Sequence, residues 1–156
     1  MKNNSLKVER THDALYLDEN RYNEPKELFR FIAASAFEHD EVNSEIQVCD
    51  FGCAAGEFLY YLRGLLPNAA LEGVDIMPSL IQKCGQFVPT ATLQIGSVLN
   101  GNSKAESQYD KTFLIGVHMI FDEFETCFSN LIKWTKPGGS VYISGMFNPF
   151  PVDVLI

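Results

Sequence analysis

Val48-Cys49-Asp50-Phe51-Gly52-Cys53-Ala54-Ala55-Gly56-Glu57-Phe58 runs from apolar residues through a glycine-rich turn into a new pattern. Ile46-Gln47-Val48-Cys49 is a short apolar run of the kind that forms a buried strand in a parallel sheet. Beyond Gly56, Phe58, Leu59, Leu62, Leu65 and Leu66 recur at helical spacing, so the chain reads as strand, tight turn, helix. Gly52 and Gly56 permit the backbone angles and the close ligand approach that side chains hinder. The first N–H groups of such a helix, with the positive end of its dipole, face the crevice above the strands. Asp50 falls at the strand's carboxyl end, where open α/β sheets bind ligands. An acidic group there suits a ligand that carries a cationic amine.

The rest of the chain supplies further elements in an alternating order. After Glu24-Pro25, the residues Leu28, Phe29, Ile32, Ala33 and Ala36 form the apolar face of a helix, with Pro25 in its first turn. The helix after Gly56 stops before Pro67, which cannot continue it. Strands are expected over residues 70–76, 91–98, 109–116 and 141–145. Pro78 opens a short helix carrying Leu80, Ile81 and Cys84, which Gly85 weakens. Asp122-Glu123-Phe124 opens a last helix whose acidic start favours the dipole, with Phe121, Phe124 and Phe128 as core. Lys136-Pro137-Gly138-Gly139 closes that helix.

Length and composition place bounds on partners. At 156 residues the chain makes one domain with a genuine core. Its hydrophobic content of 46% and charged content of 21% are those of an ordinary globular chain. Twenty acidic against twelve basic residues give a formal charge of −8. That balance argues against a nucleic-acid backbone or an anionic membrane as partner. No secretory signal and no run long enough to span a bilayer occur, so the cytoplasm is the expected compartment. Cys49, Cys53, Cys84 and Cys127 contain no C-x-x-C pair and read as reduced core thiols, with no metal site expected.

Asp50-x-Gly52-x-Ala54-x-Gly56 resembles motif I of the class I S-adenosylmethionine-dependent methyltransferases, which have a Rossmann-like domain. The other reading, a dinucleotide fold of G-x-G-x-x-G type, wants glycine at position 50. A carboxylate beside a pyrophosphate would repel it by roughly a kcal/mol or more at short range. Three more features resemble the same family. Asp75, at the tip of the next strand about twenty residues on, suits a ribose diol because one carboxylate accepts from both hydroxyls. The Tyr109-Asp110 opening and the Lys-Pro-Gly-Gly turn before the fifth strand are its later marks.

The resemblance implies a three-layer α/β sandwich with a mainly parallel sheet of order 3-2-1-4-5. Residues 1–45 are an N-terminal helical cap segment and residues 46–156 the S-adenosylmethionine-binding domain. The implied cofactor site comprises Asp50, Phe51, Gly52, Cys53, Ala54 and Gly56 of the first turn. It continues through Asp75, Ile76 and Met77, then Ser97 and Val98, then Ile115 and Gly116. Ser97 stands where the family often carries an aspartate that accepts from the adenine amino group. Tyr16 and Tyr22, with His12 nearby, are candidates to close over the cofactor, and surface packing is the other reading for each. His118, whose reference pKa is about 6.5, is the candidate general base. The reaction implied is methyl transfer to a small-molecule acceptor, leaving S-adenosylhomocysteine. A catalytically silent binding domain of this fold and a nicotinamide-dependent dehydrogenase are the alternatives.

The tail from Asn148 to Ile156 is apolar and lacks the family's final antiparallel strand pair. A sheet ending at its fifth strand leaves an open edge. The expectation is that this chain is an N-terminal piece of a longer protein, or that a partner copy covers the edge as a homodimer.

Overall fold

A computed structural model describes residues 15–37, 44–100, 105–121, 124–145 and 147. Five strands form one sheet: β1 (Gln47–Phe51), β2 (Ala70–Asp75), β3 (Thr92–Ile95), β4 (Tyr109–Ile115) and β5 (Thr135–Ser144). Their order is β3-β2-β1-β4-β5, and every pairing is parallel. The chain reverses its direction of winding between β1 and β4, which opens a crevice at their carboxyl ends. This is the expected order, in a Rossmann-like arrangement.

Alternate residues of the strands feed two cores. Val48, Leu71 and Phe113 point to one face, where α1 (Glu27–Ala36), α2 (Glu57–Leu65) and α3 (Pro78–Phe87) pack. Cys49, Val74 and Leu114 point to the other, against α4 (Phe124–Trp134). Leu59 and Leu62 of α2 and Leu131 of α4 are fully buried. Each such side chain contributes roughly 1.5–3 kcal/mol through area removed from water. All four cysteines are buried thiols that form no disulfide.

Three details differ from the expected elements. Pro25 precedes α1 rather than sitting in its first turn, because Lys26 takes an extended ψ of 141° as the N-cap. Leu28 and Phe128 are 43% and 41% exposed, so neither belongs to the core. Their neighbours Phe29 and Cys127 occupy the buried positions. The Lys-Pro-Gly-Gly turn lies inside β5: Thr135 pairs with Tyr109 but Ser140 pairs with Lys111, so residues 136–139 bulge out. The glycines explain the bulge. Gly138 has φ +83°, and a Cβ on Gly139 would stand 2.6 Å from the Asp110 carbonyl oxygen.

Asp110 ties three strands together. Its Oδ2 accepts from the Gln47 N–H at 2.7 Å, and Lys136 Nζ donates to both carboxylate oxygens at 2.8 and 2.9 Å. Burial opposes ionisation, but these donors hold the carboxyl below its ordinary range. Asp122, Glu123, His12 and the tail from Asn148 to Ile156 lie outside the described residues. Among the described residues the sheet has no antiparallel strand, and no helix is long and apolar enough to cross a membrane.

Candidate cofactor site

β1 delivers Asp50 to the crevice, and the turn that follows folds back over β2. The Gly52 and Cys53 N–H groups both donate to the Val74 carbonyl, at 2.7 and 3.1 Å. Gly52 has φ +78°, and a Cβ there would overlap the Val117 side chain. Ala54 itself lies in the left-handed region, at φ +48°. Its N–H donates to Asp75 Oδ2 at 2.9 Å, which offsets that strain. Asp75 Oδ1 accepts from the Met77 N–H, also at 2.9 Å, and so shapes the entry to α3. Asp75 thus fills a turn-forming role, and α3 begins after Met77 with no side-chain cap.

The crevice is a cavity of about 920 Å³. Sites for small ligands fall between about 300 and 1,000 Å³, so this one is roomy. Asp50, Gly52, Cys53 and Ala54 line it beneath β1. Asp75 and Ile76 line it at the end of β2, Ser97 and Val98 after β3, and Ile115 and Gly116 after β4. Ser97 Oγ accepts from the Leu99 N–H at 3.2 Å, closing the loop on itself.

Asp50 dominates the electrostatics. Its carboxylate is buried, and Oδ1 has no hydrogen-bond partner. Burial, and then the charge of Asp75, push its pKa well above the ordinary carboxylate value. A buried acceptor without a donor costs about 1–3 kcal/mol, more when charged. A cationic amine entering the cavity would supply the missing donor and the missing charge. The amino end of S-adenosylmethionine is such a group, and Asp75 adds a second carboxylate to the same cavity at the end of β2. On this observation the residues present fit that cofactor.

Five of the residues expected at the site do not line the cavity. Phe51 points to the opposite core and stacks on Trp134, with ring centroids 5.0 Å apart. Gly56, at φ +83°, makes room for the Cys84 sulfur, which a Cβ would overlap. Met77 contributes its N–H to Asp75. Tyr22 is buried against Phe87, at 3.8 Å between centroids, and its hydroxyl donates to the Ala55 carbonyl at 2.9 Å. His118 sits in a short 3₁₀ turn, with its ring parallel to Phe147 at 4.4 Å and edge-on to Phe124. A Cβ on Gly145 would overlap that imidazole. Its Nδ1 is buried and unpartnered.

Residues 42–149 match the family model described as a methyltransferase domain. The chain belongs to that family. It is a class I S-adenosylmethionine-dependent methyltransferase domain with a Rossmann-like fold. A malonyl-[acyl-carrier protein] O-methyltransferase from Priestia megaterium is 26% identical over 106 residues. The alignment covers 68% of this chain and 39% of that relative, so the chain spans about two fifths of its length. A protein assigned as a sarcosine dimethylglycine methyltransferase in Galdieria sulphuraria has a similar structure, with TM-score 0.71 and 13% identity. That superposition covers 84% of this chain and 58% of the other. Coclaurine N-methyltransferase, solved with N-methylheliamine and S-adenosylhomocysteine, is similar at TM-score 0.65 and 12% identity. There the coverage is 75% of this chain and 34% of the other.

Several positions of this methyltransferase domain reach the cavity without a sequence motif to announce them. Lys26 and Leu28 of the α1 entry line it, as do Glu57, Phe58, Phe121 and Thr126. Of the two N-terminal tyrosines, Tyr16 lines the cavity and Tyr22 does not. Asn130 of α4 acts from outside: its Nδ2 donates to the Val98 and Leu99 carbonyls at 2.8 and 3.1 Å, fixing the loop after β3. Only the helical periodicity of α4, which turns Asn130 away from Leu131, hints at that reach.

Proposed function

We propose that this domain binds S-adenosylmethionine and transfers its methyl group to a small-molecule acceptor. The observation that carries the reading is Asp50 Oδ1, a buried acceptor without a donor at the end of the central strand, facing a large cavity. Bound there, the cofactor supplies a methyl on a sulfonium, which a nucleophile displaces in line while a neutral thioether leaves. The protein's part is to hold and to align. Asp50 takes the amine and Asp75 the ribose hydroxyls, while Gly52 and Gly116 keep side chains out of the way. Ile76 and Val98 offer apolar surface to the base. Proximity of this kind supplies effective molarities of ~10⁵ M or more in well-oriented systems. No general base is assigned, since His118 does not line the cavity. The acidic balance and the cavity suit a small acceptor rather than a nucleic acid, and the cytoplasm is the compartment in which the cofactor is met.

Calorimetric titration with S-adenosylmethionine, S-adenosylhomocysteine and NAD tests this. The two sulfur compounds are expected to bind and NAD is not. Silence from both sulfur compounds favours a binding domain without cofactor, and tight NAD binding favours the dehydrogenase. Asp75→Ala is expected to weaken the cofactor by about 1–3 kcal/mol, since the ribose loses its acceptor. It also frees the Ala54 and Met77 N–H groups, so thermal unfolding is read on the same samples. A lowered melting temperature with an unchanged dissociation constant would refute the ribose role.

A further inference from the structure

Among the described residues β5 pairs with β4 alone, so its other edge presents a row of unpaired N–H and C=O groups. Natural proteins blunt such edges with charge, proline or a bulge. In β5 these devices sit at one end, where Pro137 and the bulge over residues 136–139 prevent pairing. Ser140-Val141-Tyr142-Ile143-Ser144 carries none of them.

Exposed apolar side chains flank this edge on both faces of the sheet. On one face α1 lies over β5, and the Tyr142 hydroxyl donates to the Ser35 and Ala36 carbonyls at 3.5 Å. Leu28 and Phe31 stand exposed there, Phe31 by 71%. Between α1 and β5 runs a groove of about 250 Å³, lined by Leu28, Phe31, Ile32, Tyr142 and Phe147 among others and by no charged side chain. Small-ligand sites begin near ~300 Å³, so this groove suits a side chain better than a separate ligand. On the other face α4 packs against Val141 and Ile143, with Phe128 and Ile132 exposed one turn apart, Ile132 by 52%. The two faces are joined around the end of β5. Phe128 stacks on Phe124 at 5.6 Å, Phe124 meets His118 edge-on at 5.7 Å, and His118 stacks on Phe147, which is 59% exposed. A continuous apolar strip on a soluble surface marks a contact.

We propose that this strip, with the edge it flanks, docks a second copy of the chain about a two-fold axis, the two β5 strands running antiparallel. The strip offers both a projection, Phe31, and a recess, the groove, so it complements itself as a two-fold contact requires. Bare side chains of this size present roughly 150–250 Å² each, so at their exposures Leu28, Phe31, Phe128, Ile132 and Phe147 offer on the order of 500 Å² per copy. Two copies then bury about 1,000 Å², where specific interfaces begin. Charge selects the same place. Each copy carries −8 and repels the other, so contact is favoured where the surface is uncharged, as the groove is. The five side chains share only Leu28 with the candidate cavity, so docking here is independent of what the cavity binds.

Sedimentation of the whole chain over a range of concentration tests this. A monomer–dimer equilibrium is expected, tightening as sodium chloride screens the repulsion between copies. Phe31→Glu and Ile132→Glu put a charge into the strip from opposite faces of the sheet, and each is expected to weaken the dimer about tenfold or more. Both side chains are more than half exposed, so thermal unfolding should change little. Ile95→Glu, at a side chain 53% exposed on the far edge strand β3, should leave association as it is. Amide exchange over residues 141–144 should slow as the dimer forms. A chain that stays monomeric at every concentration overturns the proposal. If those amides are then protected, another segment of the same chain covers the edge. A dimer that Ile95→Glu disrupts while Phe31→Glu and Ile132→Glu do not, one that added salt dissociates, or one whose 141–144 amides stay fast overturns it equally.

Discussion

Asp50 is costly to fold, and that cost is the measure of its role. Its pKa is raised in the folded protein from an ordinary value of 3.8, by burial and then by Asp75. The native state therefore holds a proton that the unfolded chain releases above that value. Ionising Asp50 removes stability as pH rises through this window. Asp50→Asn abolishes the ionisation and keeps the shape, so the melting temperature is expected to rise and to lose part of its decline with pH above 3.8. The same change is expected to weaken S-adenosylmethionine about tenfold or more, one unpaired charge being worth at least 1.4 kcal/mol or so. In the unaltered protein, affinity should climb with pH as Asp50 ionises. Thermal unfolding across pH, paired with cofactor titration, reads both effects. A destabilised Asp50→Asn protein that binds the cofactor undiminished would make Asp50 a structural residue.

At the scale of elements, the turn between β1 and α2 holds the neighbouring pieces in place by absence of bulk. Gly56 caps α2 at φ +83° and lies against Cys84 of α3. Gly56→Ala adds a strained backbone to an overlap with the thiol, and is expected to cost about 2–4 kcal/mol in denaturant unfolding. Cys84→Ala in the same chain should restore the part due to overlap and leave the part due to φ, about 1 kcal/mol. Full additivity of the two losses would show that the sulfur is not the obstacle. This turn was legible because its signal is local: four residues of apolar strand, then glycines, then helical spacing. The β5 bulge was not, since Lys-Pro-Gly-Gly reads locally as a turn, and only its pairing with Tyr109 and Lys111 makes it part of a strand. Leu28 fits a helical apolar stripe by spacing, yet it lies at the stripe's edge and faces the cavity. Asp50 and Asp75 followed from strand ends, whereas Lys26, Tyr16 and Asn130 reach the site through contacts between segments far apart in sequence. His118 looked close by its strand position, but the 3₁₀ turn after β4 rotates it onto Gly145 and Phe147.

For the whole molecule, the question is whether the two faces of the sheet fold as one. The strands are common to both cores: Val48 and Cys49 are neighbours in β1, yet one meets α2 and the other α4. Removing support on one face therefore weakens the strands that the other face depends on. The candidate cavity sits where both meet, with Phe58 from one side and Val98 from the other. The single tryptophan makes this measurable. Trp134 lies in the α4 core, stacked on Phe51, and reports on that face alone. Leu62→Ala, on the opposite face, deletes a fully buried side chain and is expected to cost about 2–5 kcal/mol. In urea, the Trp134 fluorescence midpoint should shift by the same amount as the far-ultraviolet circular dichroism midpoint, because the strands link the two sides. A dichroism shift that left the Trp134 transition where it was would show two independent units, and the cavity between them would then open before either core is lost.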